Sequence, residues 1–290
     1  MVASPEIIEQ VIDTYRRAAQ ANRDTPGRQG NVVHLAAESA DELVIAGDLH
    51  GNRLNLNKLL QIADLSERPR RHLVLQEVCH GGPPYPSGAG CLSHTMLEDV
   101  ARCKAEHPQR FHFLLSNHEL AELTEFPIVK AGKMLNLLFR CGLKEMYGCD
   151  AERVHAASLE FIRTCPLAVQ TSDGVFVSHS APAGVDRNGF DADVLRRPLT
   201  DGDLAQHGAA FQLVWGRDHR AENAEAFAAA VGAELLIHGH EPCVGGCLTP
   251  NARQIILDSC TRKGCFLIVP IGQPLTHEQL ARRIEYLHQQ

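Results

Sequence analysis

An α/β fold is predicted by three features of the sequence. Short apolar runs that end in polar or small residues alternate with segments of helical periodicity. No Gly/Ser linker, internal repeat or low-complexity tract separates them. Hydrophobic residues make up 44% of a 290-residue chain, ample for a buried core. The alternation alone predicts a mainly parallel, doubly wound sheet. The expected organisation is an N-terminal helix and linker at 1–30, followed by one domain at 31–290.

The elements follow in chain order. From Pro5 to about Ala21, Ile7, Ile8, Val11, Ile12, Tyr15 and Ala19 recur at helical spacing behind a Ser4-Pro5 start, and "NRDTPGRQG" then breaks the pattern. Strands are predicted at "LVIAGD" (43–48), "HLVLQEV" (72–78) and "FHFLLSN" (111–117), with helices around 53–65 and 93–107 between them. Residues 127–164 read as helices without chemistry. "LAVQTSDGVFVSHS" reads as two strands joined at Ser172-Asp173-Gly174, and "AENAEAFAAAVGAELLIHGH" as a helix feeding a strand that stops near His238. "RQIILDS" and "CFLIVPI" add two strands, and "HEQLARRIEYLHQQ" a final helix.

Composition excludes some functions. A net charge of −7 argues against a surface built to neutralise nucleic-acid phosphates. No apolar run approaches the roughly 20 residues that span a bilayer, and the charged, amphipathic start is unlike a signal peptide. A soluble, cytoplasmic protein without nucleic-acid or membrane partners is expected. Ten cysteines without a secretory signal read as reduced thiols. Cys243, Cys247, Cys260 and Cys265 have spacings that a structural zinc would accept, although buried thiols beside strands are the ordinary case.

In open α/β sheets ligands collect at the carboxyl ends of strands. The predicted strand ends carry Asp48, His50, Glu77, Asn117, His118, His179 and His240. A hydrolytic two-metal centre needs oxygen and nitrogen ligands from several elements, a bridging carboxylate and a nearby acid. Asp48 and His50 suit one ion, Asn117, His179 and His240 the other, with Glu77 between them.

The wording of these segments resembles the calcineurin-like metallophosphoesterases, within them the serine/threonine phosphoprotein phosphatase branch, whose motifs read GDxHG, GDxxDRG and GNHE, followed by two histidine motifs. This chain has "GDLHG" at 47–51, "QEVCHGG" at 76–82, "SNHE" at 116–119, "SHSAP" at 178–182 and "GHEP" at 239–242. The resemblance implies a β-sandwich of two mixed sheets flanked by helices, and a phosphatase that uses two divalent ions of the manganese, iron or zinc kind on a phosphorylated protein or small molecule. It also implies metal ligation by Asp48, His50, Glu77, Asn117, His179 and His240, with His238 as a further candidate. His118 would be the general acid, and Glu119 would support its loop.

The second motif departs from the pattern. Glu77, His80 and Gly81 stand where the family has bridging aspartate, an aspartate orienting the catalytic histidine, and a phosphate-gripping arginine. His80 keeps a hydrogen bond to His118 within reach, and Arg53, Arg217 and Arg220 are the candidates to replace the lost fork. The Gly- and Pro-rich stretch 79–91 reads as a substrate-binding insertion or a plain surface connection. A non-catalytic binding or regulatory module that keeps the fold is the alternative function.

Overall fold

The computed structural model describes residues 2–288. Its strands are β1 (Arg28–Gln29), β2 (Val32–Leu35), β3 (Glu42–Asp48), β4 (Arg71–Gln76), β5 (Phe111–Leu114), β6 (Val129–Lys130) and β7 (Lys133–Met134), then β8 (Ala168–Thr171), β9 (Val175–Ser178), β10 (Leu235–His238), β11 (Cys247–Leu248), β12 (Gln254–Leu257), β13 (Cys265–Pro270) and β14 (Ile284–Tyr286). They form two mixed sheets, one ordered β14-β13-β3-β4-β5 and the other β1-β2-β8-β9-β10-β12-β11, plus the small β6–β7 hairpin. The two-sheet sandwich implied by the resemblance is therefore the architecture, and the single doubly wound sheet suggested by alternation is not.

Period-two patterning shows how the sandwich closes. On one face of the first sheet Leu43, Ile45, Val74, Leu114, Leu267 and Val269 pack against Val33, Val169, Val177, Ile237, Ile255 and Leu257 of the second. The intervening residues Val44, Ala46, Leu73, Leu75, Phe111 and Phe113 turn outward, into the core shared with the helices. Both faces of these strands are buried, which is why the runs read as continuously apolar.

The first six α-helices in chain order are α1 (Pro5–Arg23), α2 (Arg53–Ala63), α3 (Ser93–Glu106), α4 (Asn117–Thr124), α5 (Leu135–Tyr147) and α6 (Ala151–Thr164). Helix α1 starts at a Ser4 cap with Pro5 in its first turn and buries Ile8, Ile12, Tyr15, Ala18 and Ala19 against α3 and α6. Ile7, assigned to its apolar face from spacing, is exposed.

Two local expectations are corrected. Residues 127–164 are not helical throughout, because β6 and β7 pair across Val129 and Met134 before α5 begins. The final segment is helical only over His277–Ala281; it then turns into β14, which pairs antiparallel with β13 at Leu267 and Ile284. There, pairing with an otherwise open sheet edge outweighs helical periodicity. The last two glutamines of that segment lie outside the described residues.

Close approach of the two sheets creates the site. The end of β3 crosses the end of β12, where Asp48 and Asp258 form a parallel bridge. A Cβ on Gly47 would stand 1.8 Å from the Leu257 carbonyl oxygen, so only glycine permits this crossing.

Candidate metal centre

Four strand ends and one helix start deliver the site. Asp48 closes β3, Gln76 closes β4 just before Glu77, Asn117 opens α4 after β5, His179 follows β9, and His240 follows β10. His50, Glu77, His80 and His240 all adopt positive φ, between 42° and 68°. Four of the eight non-glycine residues in that region among the described residues thus fall at or directly behind one cleft, held there by hydrogen bonds such as those from Leu49 N and His50 N to Glu77 O, both 2.9 Å.

Two groups of ligand atoms share one carboxylate. The ligand atoms of His50, Glu77 and His118 lie within 4.8 Å of one another, and so do those of Glu77, His179 and His240. Asp48 stands 3.9 Å from His50 Nε2 and 3.9 Å from His179 Nδ1, and its Oδ1 accepts from His240 N at 2.8 Å. Asn117 Oδ1 is 2.7 Å from His179 Nε2 and 3.1 Å from His240 Nδ1. The predicted ligands are thereby brought into one cluster, in which all but the half-buried His50 are buried. His118 joins it as well, with Nε2 3.4 Å from Glu77 Oε1.

The donor set fits a cation. Gln76 Nε2 donates to the Ala46 carbonyl at 2.9 Å, which fixes its amide so that Oε1 accepts from His179 Nδ1–H at 2.8 Å. His179 Nε2 then carries a lone pair. It faces Asn117 Oδ1 and, at 3.2 Å, Glu77 Oε2, neither of which has a proton to give when Glu77 is ionised. Such a convergence of lone pairs is stabilised by a metal ion, and the Gln76 contact is the usual outer support of a histidine ligand.

Electrostatics point the same way. Burial pushes Asp48 well above the usual carboxylate range, with Glu77 adding to it, and pushes Glu77 up to about 8. Burial also lowers His179 to about 4 and His240 well below its ordinary value, so both present neutral imidazoles. Buried carboxylates without a nearby cation are costly, and a divalent ion relieves both.

Around this cluster, Glu119 Oε1 accepts from Val78 N (3.0 Å) and Cys79 N (2.8 Å), and Ser116 donates to its other oxygen, which pins the 77–80 turn to α4. His80 Nδ1 lies 2.9 Å from His118 Nδ1. The cleft, about 260 Å³, is lined by Asp48, His50, Glu77, Asn117, His118, His240 and also by Lys130, Trp215 and Arg217.

The three candidate arginines separate. Arg217 lines the cleft, with Nη1 2.5 Å from Glu241 Oε2. Arg53 is held by Asp99 and Thr95, and Arg220 by Asp186 and Asp218; neither is among the residues lining the cleft. At Gly81 an arginine has no room, because a Cβ would meet His50 O at 2.3 Å. His238 faces Ser178, 3.2 Å from its Oγ, outside both ligand groups. No cysteine belongs to either group, so among the described residues the late cysteines gather no metal site.

Residues not singled out from sequence are Gln76, Glu122, Lys130 and Asp258. Only Glu122 had a local signal, lying four residues after His118 on the same helical face. Stretch 79–91 is tied down by Tyr85, whose hydroxyl is 2.7 Å from His94 Nε2, itself bound to Glu98 at 2.9 Å.

No family model and no curated protein sequence matches the chain. Among solved structures it is similar to a protein serine/threonine phosphatase from Saccharomyces cerevisiae with similarity to human phosphatase PP5, at 15% identity over 90% of this chain and 82% of that one, with a TM-score of 0.67. It is also similar to a cold-active protein-tyrosine phosphatase of a psychrophile Shewanella sp., at 13% identity over 90% and 83%, with a TM-score of 0.53. The fold is phosphatase-like, and at these identities the likeness concerns the fold alone.

Proposed function

We propose that the chain is a metal-dependent phosphoester hydrolase of the calcineurin-like metallophosphoesterase type, acting on a phosphorylated protein or small molecule. One observation carries this reading: Glu77 is shared by two groups of atoms that could hold a metal ion, one with His50 and His118 and the other with His179 and His240, and Asp48 stands 3.9 Å from both His50 and His179. Asp48 and His50 would hold one divalent ion, Asn117, His179 and His240 the other, and Glu77 both. When bound, two ions of the manganese, iron or zinc kind activate water and polarise phosphoryl oxygens.

The chain's own residues do the rest. Gln76 orients His179, and Glu119 holds the turn that presents Glu77. His118, whose Nδ1 is engaged by His80, turns Nε2 toward the cleft and would, as the imidazolium, donate the proton on that atom to the departing oxygen, leaving the neutral ring with its remaining proton on Nδ1. Arg217 and Lys130, both lining the cleft, would offer positive charge to the phosphate in place of the missing fork. All ten cysteines are unpaired, which fits a reducing compartment such as the cytoplasm, and no helix among the described residues is long and apolar enough to cross a membrane.

Hydrolysis of nitrophenyl phosphate after chelation and after manganese addition tests the proposal. Manganese-dependent turnover is expected, reduced about 10²-fold or more in His118→Ala with metal content unchanged. Absence of turnover with every metal would favour the binding-module alternative, for which the engagement of Arg217 by Glu241 is the supporting observation.

A further inference from the structure

A histidine that donates a proton from Nε2 must be held through Nδ1. In this chain the group at Nδ1 of His118 is another imidazole, His80, at 2.9 Å. Two ring nitrogens at that distance share one proton, so which of them is the donor depends on what holds His80 from behind.

Behind it stands a carboxylate. His80 Nε2 is 2.7 Å from Glu122 Oε1, and both side chains are fully excluded from solvent. Burial alone would raise the Glu122 carboxyl, yet contacts from His155 and His80 outweigh it and keep the group below its ordinary range. His155 Nε2 lies 3.4 Å and Arg140 Nε 3.8 Å from the other oxygen. An ionised Glu122 accepts from His80 Nε2–H, which leaves His80 Nδ1 as an acceptor for His118 Nδ1–H. Nε2 of His118 is then the nitrogen that faces the cleft.

The fold builds this chain of contacts deliberately. Helix α4 carries His118 and Glu122 four residues apart on one face, and Glu119 of the same helix fixes the turn that carries His80. Phe139 packs edge-on against His80, with ring centroids 5.9 Å apart, and also flanks His155. Such packing keeps water from competing for the buried nitrogens.

We propose that Glu122 and His80 act as a pair of positioning residues, supplying through an imidazole the carboxylate that would otherwise contact the proton donor directly. The proposal rests on the hydrolase reading and on His118 as donor. It assigns Glu122 no contact with substrate, since it lies behind two histidines.

The test is turnover of manganese-loaded protein on aryl phosphates with good and poor leaving groups. A dinitrophenyl leaving group departs without a proton, whereas a phenyl one needs it. Glu122→Gln keeps the hydrogen-bond acceptor and removes the charge, so turnover of phenyl phosphate should fall about tenfold or more while dinitrophenyl phosphate changes little. His80→Asp places a carboxylate oxygen where Nδ1 now stands, the same number of bonds from the backbone, and the positive φ of 62° at position 80 suits aspartate. In that background Glu122→Gln should have no further selective effect.

Should Glu122→Gln fail to fold, His80→Asn against the wild type tests the same link, since asparagine keeps an acceptor oxygen where Nδ1 stands but loses the contact with Glu122, and phenyl phosphate turnover should fall selectively. Ring-nitrogen NMR of the metal-free protein supplies a readout without turnover: His118 should be protonated at Nδ1 in the wild type and mixed in Glu122→Gln. Equal losses on both esters, or an unchanged His118 tautomer, would overturn the proposal while leaving the hydrolase reading in place. A wild type inactive on both esters with any metal would overturn the hydrolase reading and this proposal with it.

Discussion

Replacing Glu77 by glutamine in the metal-free protein should change how stability depends on pH. Glu77 is 1% exposed, and burial, its dominant cause, moves the carboxyl from its usual value near 4.5 to about 8. Between those values the folded chain keeps a proton that the unfolded chain has released, so stability falls as pH rises. The contribution is complete below about 4.5 and gone above about 8. At about 1.4 kcal/mol per pH unit the whole span is roughly 5 kcal/mol, and the part between 6.5 and 8 is about 2 kcal/mol. Asp48 is raised as well and titrates with Glu77 as a pair, which spreads the loss over the window.

Other buried groups act in the opposite direction. His179, held near 4, and His238, held near 3, add stability as pH rises toward their ordinary 6.5; Lys104, held near 7, adds it above that point. The informative quantity is therefore the difference between wild type and Glu77→Gln above pH 6.5, where the His179 contribution has levelled off and those of His238 and Lys104, which make no contact with Glu77, cancel. Urea unfolding in the presence of a chelator at pH 6.5 and at pH 8 should show the wild type losing about 2 kcal/mol relative to the variant. Saturating manganese should reverse the sign, because metal stabilises the ionised pair in the wild type. A difference that stays constant with pH would show that Glu77 is already ionised in the metal-free fold and refute the charge argument for the centre.

Two further outcomes follow from the same geometry. Gln76→Met removes the acceptor that orients His179 while keeping side-chain length, so manganese affinity at one site should fall about 10–100-fold in a calorimetric titration; unchanged affinity would show that His179 needs no orientation. Gly81→Arg restores the arginine of the resembled family, but its Cβ would meet His50 O at 2.3 Å. The variant should lose about 1–3 kcal/mol or more in urea unfolding and gain no turnover, and a stable, more active variant would contradict that packing.

Much of this arrangement is legible in the sequence because the signals are local. Asp48, His50, Asn117, His179 and His240 each stand at or just past the end of a short apolar run, where strand chemistry leaves no structural need for them. Gln76 and Glu122 are hidden for the opposite reason. Their partners lie 103 and 42 residues away, and a glutamine ending a strand or a glutamate inside a helix is ordinary by itself. Gly81 reads as a lost arginine in sequence, whereas the structure shows a backbone stacked on His50 that excludes any side chain. The two-sheet division rests on non-local parallel pairs, β2 with β8 and β10 with β12, which no periodicity encodes.

The proposed hydrolase requires two ions that share Glu77. Elemental analysis of the protein after manganese loading and gel filtration tests it directly. About two ions per chain are expected in the wild type and about one in His240→Ala. One ion or none in the wild type under saturating conditions would contradict the account.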